Sequence, residues 1–584
     1  MTRVVSDLNA MVAGQGGDGS LTVVTLVGNL LAGRGFHLYS TRDVASRIKG
    51  GPAAALLRGS IAPRTGIGDT LDVFVAFDTE AIELSGHRVA GNGFVVYDSS
   101  GGPLPPGYLG DGVTVVEIPF GRLAVGDLRR ELYKNSLAFG VVSRILTFSD
   151  TEAASVLEAR FSLRPDLVEA NLQALAEGFI FADDHGFTHN AGPLRLTDTG
   201  HSERILISGN HAAALGCLVA GVRFFAGYPI TPATEVLEFM TRHISTYGGV
   251  AIQAEDELAA VNMALGASLA GVRSLVATSG PGISLMQEGI GHAGATELPL
   301  VIIDAQRAGP STGMPTKSEQ SDIGMLVHGG NGDFPRIVLA PGNPTDAFEL
   351  AVTATNLAQQ IQGPVYLMLD QAVSQDSTTV PPFNVSNIEI NHGHRLTQEQ
   401  LDTLNEYRRY AITNDGPSPL AVPGMAGGMG LVTGNEHDEW GKVSTDPTNR
   451  VAMMDKRARK IETVAESLPK GHRFGDPSAP IGILGIGMES GVMQEAVEQL
   501  AATGLPIAGL QPRTIWPVPH ETLAFLTSKE RVYVIEHNHE GQLAQILASV
   551  RQDCATVTSI LKYDGVPFTP RELAARIAEK ETAT

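Results

Sequence analysis

The chain has 584 residues, of which 43% are hydrophobic and 18% charged, and its formal net charge is −21. That length predicts roughly three or four domains, and the 66 glycines and 33 prolines are typical of an α/β protein with many strand-to-helix turns. A phosphate-tracking surface needs clustered Lys and Arg, which the sequence lacks, so a general nucleic-acid-binding protein is excluded.

Cysteine usage limits the redox chemistry of the chain itself. Only Cys217 and Cys554 are present, far apart in sequence, whereas a cubane iron–sulfur cluster needs four thiolates. The chain alone therefore holds neither such a cluster nor a disulfide framework. The first residues lack the apolar stretch of a signal peptide, and no apolar run is long enough to predict a membrane span. We therefore expect a cytoplasmic protein.

Residues 1–190 are predicted to form the first domain. Its glycine-rich motif GQGGDG, Gly14 to Gly19, precedes an amphipathic helix pattern and then a short strand, HLYSTRD. Glycines at a strand-to-helix turn let backbone amides approach a phosphate, so a nucleotide site is one interpretation. The strand before the motif would be short, however, and no acidic residue ends a second strand at the right distance. A turn needed for close helix–strand packing is the favoured interpretation.

After a polar connector, strands alternate with helices over residues 204–380. Six segments have the composition of buried strands, namely VRFFAGYP, GGVAIQAED, VRSLVATSG, LPLVIIDAQR, FPRIVLAPG and GPVYLMLDQ. This alternation is typical of a doubly wound parallel sheet. Residues 381–475 are rich in Asn, Gly, Pro and charge, which predicts an irregular excursion with a functional loop or, alternatively, a plain linker. Residues 476–584 return to strands and helices, which predicts a further α/β domain.

The segment GYPITPATEV follows the first of these strands. Its Thr231 hydroxyl is predicted to lie at the carboxyl edge of the sheet, where open α/β sheets bind ligands. Pro232 suits the first position of a helix, with Thr231 as the residue that caps it. A simple capped helix start is the alternative to a functional role.

A pair of glutamates, Glu255 and Glu257, opens the next helix. Buried among apolar neighbours, a carboxylate here could share a proton with a heterocyclic nitrogen, although a contact with the helix dipole is the plainer interpretation. Four small residues are expected to bring this helix close to another element, namely Gly266, Ala267, Ala270 and Gly271. The TSGPG turn after it supplies another strand end.

The loop DAQRAGPSTGMPTKSEQSD carries two cations, Arg307 and Lys317, among hydroxyl and amide donors. This combination indicates a receptor for a carboxylate, the alternative being a surface loop with incidental charges. A metal site is not favoured at GNEHDEWG or EHNHEGQ, because neither has ligands at helical spacing and His537 with His539 would need a third ligand.

Together these motifs resemble a known family. GYPITPATE, EDELAAVNMALGASLAG, ATSGPGISLM and QRAGPSTGMPTKSEQSD resemble the α subunit of 2-oxoacid:ferredoxin oxidoreductases. GQGGDG with KGGPAAALLR, Lys49 to Arg58, resembles the γ module of the same enzymes, fused here to α. IGMESG, WPVP and EHNHEGQ resemble the transketolase-C-like domain. The resemblance covers nearly the whole chain.

The resemblance implies a thiamine-diphosphate enzyme that decarboxylates a 2-oxoacid, passes electrons through a [4Fe–4S] cluster to ferredoxin and transfers the acyl group to coenzyme A. The cofactor lies between a pyrimidine-binding domain, here residues 204–380, and a pyrophosphate-binding domain on a β subunit. The GDG and Asn pattern that holds Mg²⁺ in that second domain is not found here. We therefore expect a β partner that carries Mg²⁺ and the cluster, in an (αβ)₂ heterotetramer.

The resemblance also implies roles for particular residues. Glu257 would activate the aminopyrimidine ring, with Glu255 as the alternative, and Thr231 and Arg307 would complete the catalytic set. The residues implied at the cofactor are Tyr228, Pro229, Ile230, Glu255, Gly280 and Pro281, and those implied at the substrate are Thr231, Arg307, Ser311, Thr312 and Lys317. Some relatives carry Arg at the position of Lys317, and because Lys presents a point charge its role is less defined.

The substrate favoured is 2-oxoglutarate, because its distal carboxylate needs a cation and the fused γ–α arrangement is typical of such members. Pyruvate and branched-chain 2-oxoacids are alternatives within the family. Two further hypotheses are a nicotinamide-linked dehydrogenase that uses the N-terminal glycine turn and a non-catalytic scaffold descended from these enzymes.

Overall fold

The computed structural model describes residues 2–44, 51–126, 133–197, 199–200, 203–550 and 557–582. Lys49 of the predicted γ-module motif and Cys554 lie outside the described residues. The chain packs as two compact units. The first unit is Met1–Leu206 with Asp376–Pro382, and the second unit is Ile207–Gln375 with Phe383–Thr584.

The first unit is a mixed sheet covered by helices. Its helices are α1 (Ser20–Gly33), α2 (Thr79–Ser85), α3 (Phe120–Gly126), α4 (Lys134–Ile145), α5 (Asp150–Phe161) and α6 (Pro165–Asp184). Its strands are β1 (Arg3–Val5), β2 (Asp7–Gln15), β3 (His37–Val44), β4 (Pro52–Ser60), β5 (Leu71–Ala76), β6 (Val89–Asp98), β7 (Thr114–Ile118), β8 (Leu194–Leu196), β9 (Ile205–Ser208), where the chain passes into the second unit, and β16 (Ser377–Val380). The main sheet has the order β7-β6-β5-β2-β4-β3-β16-β9, and β1 pairs with β8.

The N-terminal glycine turn serves close packing in this unit. A Cβ atom at Gly14 would lie 2.9 Å from Cβ of Phe77, and Gly17 and Gly19 have φ angles of 106° and 83°, which favour glycine. The Asp18 carboxylate closes the turn, since it accepts a hydrogen bond from the Gln15 amide and pairs with Lys134 at 2.7 Å. These contacts support the packing interpretation of the motif.

The second unit contains a parallel sheet, as predicted. Its strands are β10 (Phe224–Gly227), β11 (Val250–Gln253), β12 (Ser274–Thr278), β13 (Leu300–Ala305), β14 (Ile337–Leu339), β15 (Pro364–Leu369) and β20 (Thr514–Trp516). Their order is β11-β10-β12-β13-β15-β14-β20, and only β20 runs antiparallel to its neighbour. The surrounding helices are α7 (Gly209–Val219), α8 (Thr234–His243), α9 (Glu257–Leu269), α10 (Gly280–Thr296), α11 (Ile323–His328), α12 (Pro344–Ile361) and α13 (Gln371–Gln375).

The C-terminal part of this unit contributes a five-stranded sheet of order β17-β19-β18-β21-β22. Its elements are β17 (His472–Gly475), β18 (Ile481–Gly485), β19 (Ala508–Gln511), β21 (Arg531–Glu536), β22 (Val557–Leu561), α16 (Glu489–Ala502), α17 (His520–Thr527), α18 (Gln542–Ser549) and α19 (Pro570–Thr582). One hydrophobic core joins the two sheets, since Val276 and Ile302 of the first cluster with Leu484 and Val534 of the second. The predicted α/β class is confirmed.

Two predicted segments differ from the structure. The central segment was predicted to extend to residue 380, but Asp376–Pro382 belongs to the first unit because β16 pairs with β3. The segment 381–475 contains α14 (Gln398–Asp402) and an 18-residue helix, α15 (Pro447–Val464), where only irregular chain was expected. The buried face of α15 includes Lys456, Arg457 and Lys460, so no apolar periodicity marked it. Among the described residues, no helix combines the length and apolar character that crossing a membrane requires.

Candidate active site

Four neighbouring strands bring the predicted residues to one edge of the second unit's sheet. β11, β10, β12 and β13 are hydrogen-bonded in that order and are all parallel. Their carboxyl ends therefore lie side by side, which is where open α/β sheets bind ligands. Tyr228 follows β10, Glu255 follows β11, Ser279 follows β12 and Arg307 follows β13.

The two candidate glutamates lie in different surroundings. Glu257 is the first residue of α9 and is only 6% exposed, whereas Glu255 is exposed to solvent. The Asp256 side chain starts the helix by accepting a hydrogen bond from the Ala259 amide at 2.7 Å. A Cβ atom at Gly282 would lie 2.8 Å from Oε1 of Glu257. The Glu257 carboxylate is thus enclosed against the first turn of α10, and these surroundings favour it over Glu255 for the predicted role.

The close approach between α9 and α10 does not use the predicted glycine. Of the described chain, no non-neighbouring atom comes within 4 Å of a Cβ placed at Gly266, so the expectation for this residue is wrong. The contact is made instead by Gly289 of α10, where a Cβ atom would lie 2.6 Å from Cγ1 of Val261. Gly271 does allow a close approach, since a Cβ atom there would lie 2.5 Å from Cγ1 of Val422, and its φ of 81° also ends α9.

The segment from Tyr228 to Thr231 lies at the sheet edge. Tyr228 and Pro229 are exposed, and Ile230 and Thr231 are half-buried. The predicted helix cap at Thr231 is wrong, because α8 begins only at Thr234. The Thr234 amide donates to the Ile230 carbonyl at 3.0 Å, so the chain makes a further turn before the helix starts.

Arg307 is held beside Thr231. Its Nη1 donates a hydrogen bond to the Thr231 carbonyl at 2.7 Å, and the residue is 8% exposed. Burial lowers the pKa of Arg307 from its ordinary value, and Asp322 opposes that shift. The structure therefore brings together two of the three residues predicted to be catalytic.

The remaining loop residues lie farther along the loop. Ser311 and Thr312 are exposed at its tip. Lys317 is half-buried against the C-terminal segment, since a Cβ atom at Gly565 would lie 2.9 Å from Cβ of Lys317. The two cations are therefore held by different parts of the unit.

Gln320, which the sequence did not single out, clamps the end of this loop. Its Nε2 donates to Asp370 at 2.9 Å and to the Ile486 carbonyl at 3.0 Å, and its backbone amide donates to the His537 carbonyl at 2.7 Å. Asn538 donates to the Gln320 carbonyl at 3.0 Å. The EHNHEGQ motif thus anchors the loop that carries Arg307.

A group of carboxyls also gathers under this edge and was missed. Asp304, on β13, is fully buried, and neither of its oxygens has a hydrogen-bond partner among the described residues. Asp322 precedes α11 and accepts a hydrogen bond from the Gly280 amide. Burial, with the charge of Glu319, raises the pKa of Asp322 to about 7, and burial with Asp322 raises the pKa of Asp304. Hydrophobic periodicity does not reveal buried carboxyls, although Asp304 and Asp322 are the first and last residues of the loop motif DAQRAGPSTGMPTKSEQSD.

The start of α10 depends on glycine. Gly280 is buried, and a Cβ atom there would collide with the Asp322 carboxyl. Pro281 follows within the first turn, and the Ser279 hydroxyl before it is fully buried without a hydrogen-bond partner among the described residues. Glycine at 280 therefore lets the helix start approach Asp322.

The histidines considered as metal ligands have other contacts. His537 lies 2.6 Å from Glu489, and both are fully buried. His539 packs on Tyr563 and His437 on Tyr410. Within the described ranges, no three His, Cys, Asp or Glu side chains are grouped as a metal site.

Three family models match different parts of the chain. Residues 215–456 match a family model described as pyruvate flavodoxin/ferredoxin oxidoreductase, thiamine diphosphate-binding. Residues 9–181 match pyruvate ferredoxin/flavodoxin oxidoreductase, and residues 479–573 match core domain II of pyruvate:ferredoxin oxidoreductase. The 2-oxoacid:ferredoxin oxidoreductase subunit alpha of Saccharolobus solfataricus is 30% identical, with 96% of this chain and 95% of that protein covered. The chain belongs to the 2-oxoacid:ferredoxin oxidoreductase family.

Several relatives of this chain are named for 2-oxoglutarate. The 2-oxoglutarate oxidoreductase subunit KorA of Mycobacterium tuberculosis is 31% identical, over 88% of this chain and 82% of that protein. A solved 2-oxoglutarate:ferredoxin oxidoreductase from Magnetococcus marinus, with 2-oxoglutarate, coenzyme A and succinyl-CoA bound, superposes with a TM-score of 0.92. It is 34% identical and covers 99% of this chain and 100% of its own. The chain is thus an α-type subunit of a thiamine-diphosphate oxidoreductase.

Proposed function

We propose that this chain is the fused γ–α subunit of an enzyme that converts 2-oxoglutarate and coenzyme A to succinyl-CoA and CO₂, with the electron pair passing to ferredoxin. The observation that carries the proposal is the enclosed Glu257 carboxylate, at the same sheet edge as the Arg307–Thr231 pair. The substrate and coenzyme A are supported by the relatives named for 2-oxoglutarate and by the solved relative with these molecules bound.

The residues at this edge fit the pyrimidine half of thiamine diphosphate. That ring requires a carboxylate partner, and Glu257 is a buried carboxylate beside Gly282. The absence of a side chain at Gly282 leaves space for the Glu257 carboxyl itself. The Ser279 hydroxyl is a further polar group that is buried without a partner among the described residues. Residues that would hold the cofactor are Glu257, Tyr228, Pro229, Ile230, Gly280 and Pro281, with Glu255 at the rim. When bound, the cofactor supplies the carbanion and the electron sink that decarboxylation needs.

In this proposal the protein's own residues orient the substrate and hold one proton. The buried Glu257 carboxylate would hold the proton that it shares with the ring nitrogen. The buried Arg307 supplies charge for a substrate carboxylate, and its bond to the Thr231 carbonyl fixes its position. The exposed loop tip, Ser311 and Thr312, with Lys317, is proposed to bind the substrate's distal carboxylate.

The proposal includes a β partner. The partner would hold the diphosphate, Mg²⁺ and the [4Fe–4S] cluster, and an (αβ)₂ heterotetramer would work in the cytoplasm with ferredoxin. The ranges 1–190, 204–380 and 476–584 are proposed as its domains, with 381–475 as the connecting segment, although the chain packs as two compact units.

Co-expression with the β partner tests this proposal. The complex is expected to be brown and to reduce ferredoxin or a viologen with 2-oxoglutarate and coenzyme A, whereas the isolated chain is expected to be colourless and inactive. A panel of 2-oxoglutarate, pyruvate and branched-chain 2-oxoacids, compared by kcat/KM, identifies the substrate. A preference for pyruvate would overturn the substrate assignment alone, while nicotinamide-dependent turnover by the isolated chain would overturn the whole proposal.

A further inference from the structure

The peptide group between Ser321 and Asp322 is held on both sides by glutamine side chains. Its carbonyl oxygen accepts a hydrogen bond from Nε2 of Gln542 at 2.9 Å. Its N–H group, on Asp322, donates a hydrogen bond to Oε1 of Gln306 at 3.0 Å. The two glutamines come from distant parts of the chain, because Gln306 follows β13 and Gln542 begins α18. One peptide group therefore links the C-terminal part of the unit to the residue that precedes Arg307.

The side chain of Gln542 also holds the start of α11. Its Oε1 accepts a hydrogen bond from the Gly324 N–H at 2.9 Å. Gly324 lies in the first turn of α11, where backbone N–H groups have no acceptor within the helix. Asn538, from the same EHNHEGQ motif, donates to the Gln320 carbonyl at 3.0 Å. The motif therefore holds residues 320–324, where the loop passes into the helix.

Gln306 is the inner end of this chain of hydrogen bonds. It is only 1% exposed, and its backbone amide donates to a carbonyl of β15 at 2.8 Å. On the other side of Arg307, the Ala308 amide donates to the Lys317 carbonyl at 3.0 Å. Both neighbours of Arg307 are thus bonded to the returning arm of the loop, residues 317–322. The position of the Arg307 backbone therefore depends on that arm.

We propose that Gln542 is a positioning residue for substrate binding, because it holds the returning arm on which the place of Arg307 depends. The hydrogen bonds run from Gln542 through the Ser321–Asp322 peptide to Gln306, and such a chain of bonds strengthens its members. A cation held in place beforehand binds a carboxylate without the cost of ordering its loop. This inference rests on the proposed function, because it concerns the same substrate site.

Gln542→Met tests the inference, since methionine keeps the length of the side chain and removes both of its hydrogen bonds. In the complex with the β partner, KM for the 2-oxoacid should rise about three- to tenfold, because the arm must be ordered as the substrate binds. The values of kcat and of KM for coenzyme A should change by less than about twofold. A wild-type KM for the 2-oxoacid in this variant would overturn the inference.

Gln545→Met is the matched control for these kinetics. Gln545 lies on the same helix, is exposed, and donates a hydrogen bond to the Glu540 carbonyl at 2.8 Å, within its own segment. Its kinetic constants should equal those of the wild type. A rise in KM as large as that of Gln542→Met would show a general effect of changing α18 and would overturn the inference.

A double-mutant cycle separates positioning of Arg307 from a general structural effect. In an Arg307→Lys background the cation sits on a flexible stem, so its contact with the substrate depends less on a fixed backbone. Gln542→Met should then raise KM for the 2-oxoacid by less than about twofold. The same rise in KM in both backgrounds would mean that Gln542 does not act through Arg307, and would overturn the inference.

Hydrogen exchange of the full chain gives a readout that needs no turnover. The backbone amides of Asp322 and Gly324 should exchange faster in Gln542→Met than in wild type or Gln545→Met, because the arm opens at a lower free-energy cost. Unchanged exchange at Asp322 would contradict the holding role. A wild-type complex without turnover on any 2-oxoacid would overturn the proposed function instead, and the exchange rates would still decide whether Gln542 holds the arm.

Discussion

Two groups of buried charges in the second unit differ in how their burial is compensated. Glu297 is fully buried and lies 2.9 Å from Nζ of Lys456 and 2.6 Å from Nζ of Lys460. Arg409 donates to the Glu297 carbonyl at 2.8 Å. Despite burial, these cations lower the pKa of Glu297, whereas burial lowers the pKa of Lys460 to about 7. Asp304, by contrast, is equally buried and has no hydrogen-bond partner among the described residues.

The difference separates a structural group from a functional one. The Glu297 group joins the end of α10 to α15, and its opposite charges offset the desolvation of each other. Asp304 and Asp322 lie at the sheet edge proposed to bind the substrate, and burial raises the pKa of both carboxyls. Burial of a charged residue alone therefore does not indicate function. Whether the neighbouring groups carry the opposite charge or the same charge is the property that distinguishes the two groups.

Glu257→Gln should have the largest effect on the functional side of this comparison. Replacing the carboxylate removes the proton acceptor, so turnover by the complex should fall by about 10²- to 10⁴-fold. Glu255→Gln is the comparison variant and should lose much less turnover, because Glu255 is exposed at the rim of the site. The assay is viologen reduction with 2-oxoglutarate and coenzyme A; the reverse pattern in the two variants would move the activating role to Glu255.

Glu297→Ala should have the largest effect on the structural side. The variant leaves Lys456 and Lys460 buried without their carboxylate, which costs about 3–5 kcal/mol of unfolding free energy. Urea unfolding of the full chain measures it. Glu349→Ala is the control, since Glu349 is 54% exposed in its pair with Arg513 and should contribute about 1 kcal/mol at most. Equal losses in both variants would refute the structural assignment.

Gln320→Leu tests whether the loop needs its clamp. The change removes the hydrogen bonds that Gln320 donates to Asp370 and to the Ile486 carbonyl, although each acceptor keeps a backbone amide donor. Losing the two bonds should cost about 1–3 kcal/mol in stability. Gln287→Leu is a matched control, because neither atom of the Gln287 amide has a hydrogen-bond partner among the described residues. Melting temperatures of the two variants should differ accordingly, and a control loss as large as that of Gln320→Leu would argue against the clamp.

Lys460 should give the smallest effect near neutral pH, with a pH dependence of its own. Its pKa is lowered from 10.5 to about 7, so the unfolded chain binds more protons between these values. The wild type should then gain stability relative to Lys460→Met as pH rises above 7, by at most about 1.4 kcal/mol per pH unit. Lys442→Met, at an exposed position, should show no such trend. The raised pKa of Asp322 predicts the opposite trend at lower pH, a loss of wild-type stability as pH rises. Unfolding free energies measured across the pH range therefore distinguish Asp322 from Lys460.

Local patterns were enough to predict the elements around the site. The six apolar segments between Val222 and Gln371 all form strands of one sheet, because buried parallel strands need continuous apolar runs. The carboxyl-edge position of Tyr228, Glu257 and Arg307 followed from the same alternation. Helix α15 could not be predicted this way, because its buried face includes Lys456 and Lys460, whose only compensation is distant in sequence.

The sequence by itself determined the α/β class, the family and the short list of site residues, because these depend on local periodicity and on motifs. Only the tertiary structure decided that Glu257 is buried and Glu255 exposed, that Arg307 bonds to the Thr231 carbonyl, that Asp304 is buried, and that Asp322 lies against the start of α10. Burial and pairing depend on segments far apart in the chain, so charges that look alike in sequence acquire different energies once the strands are assembled.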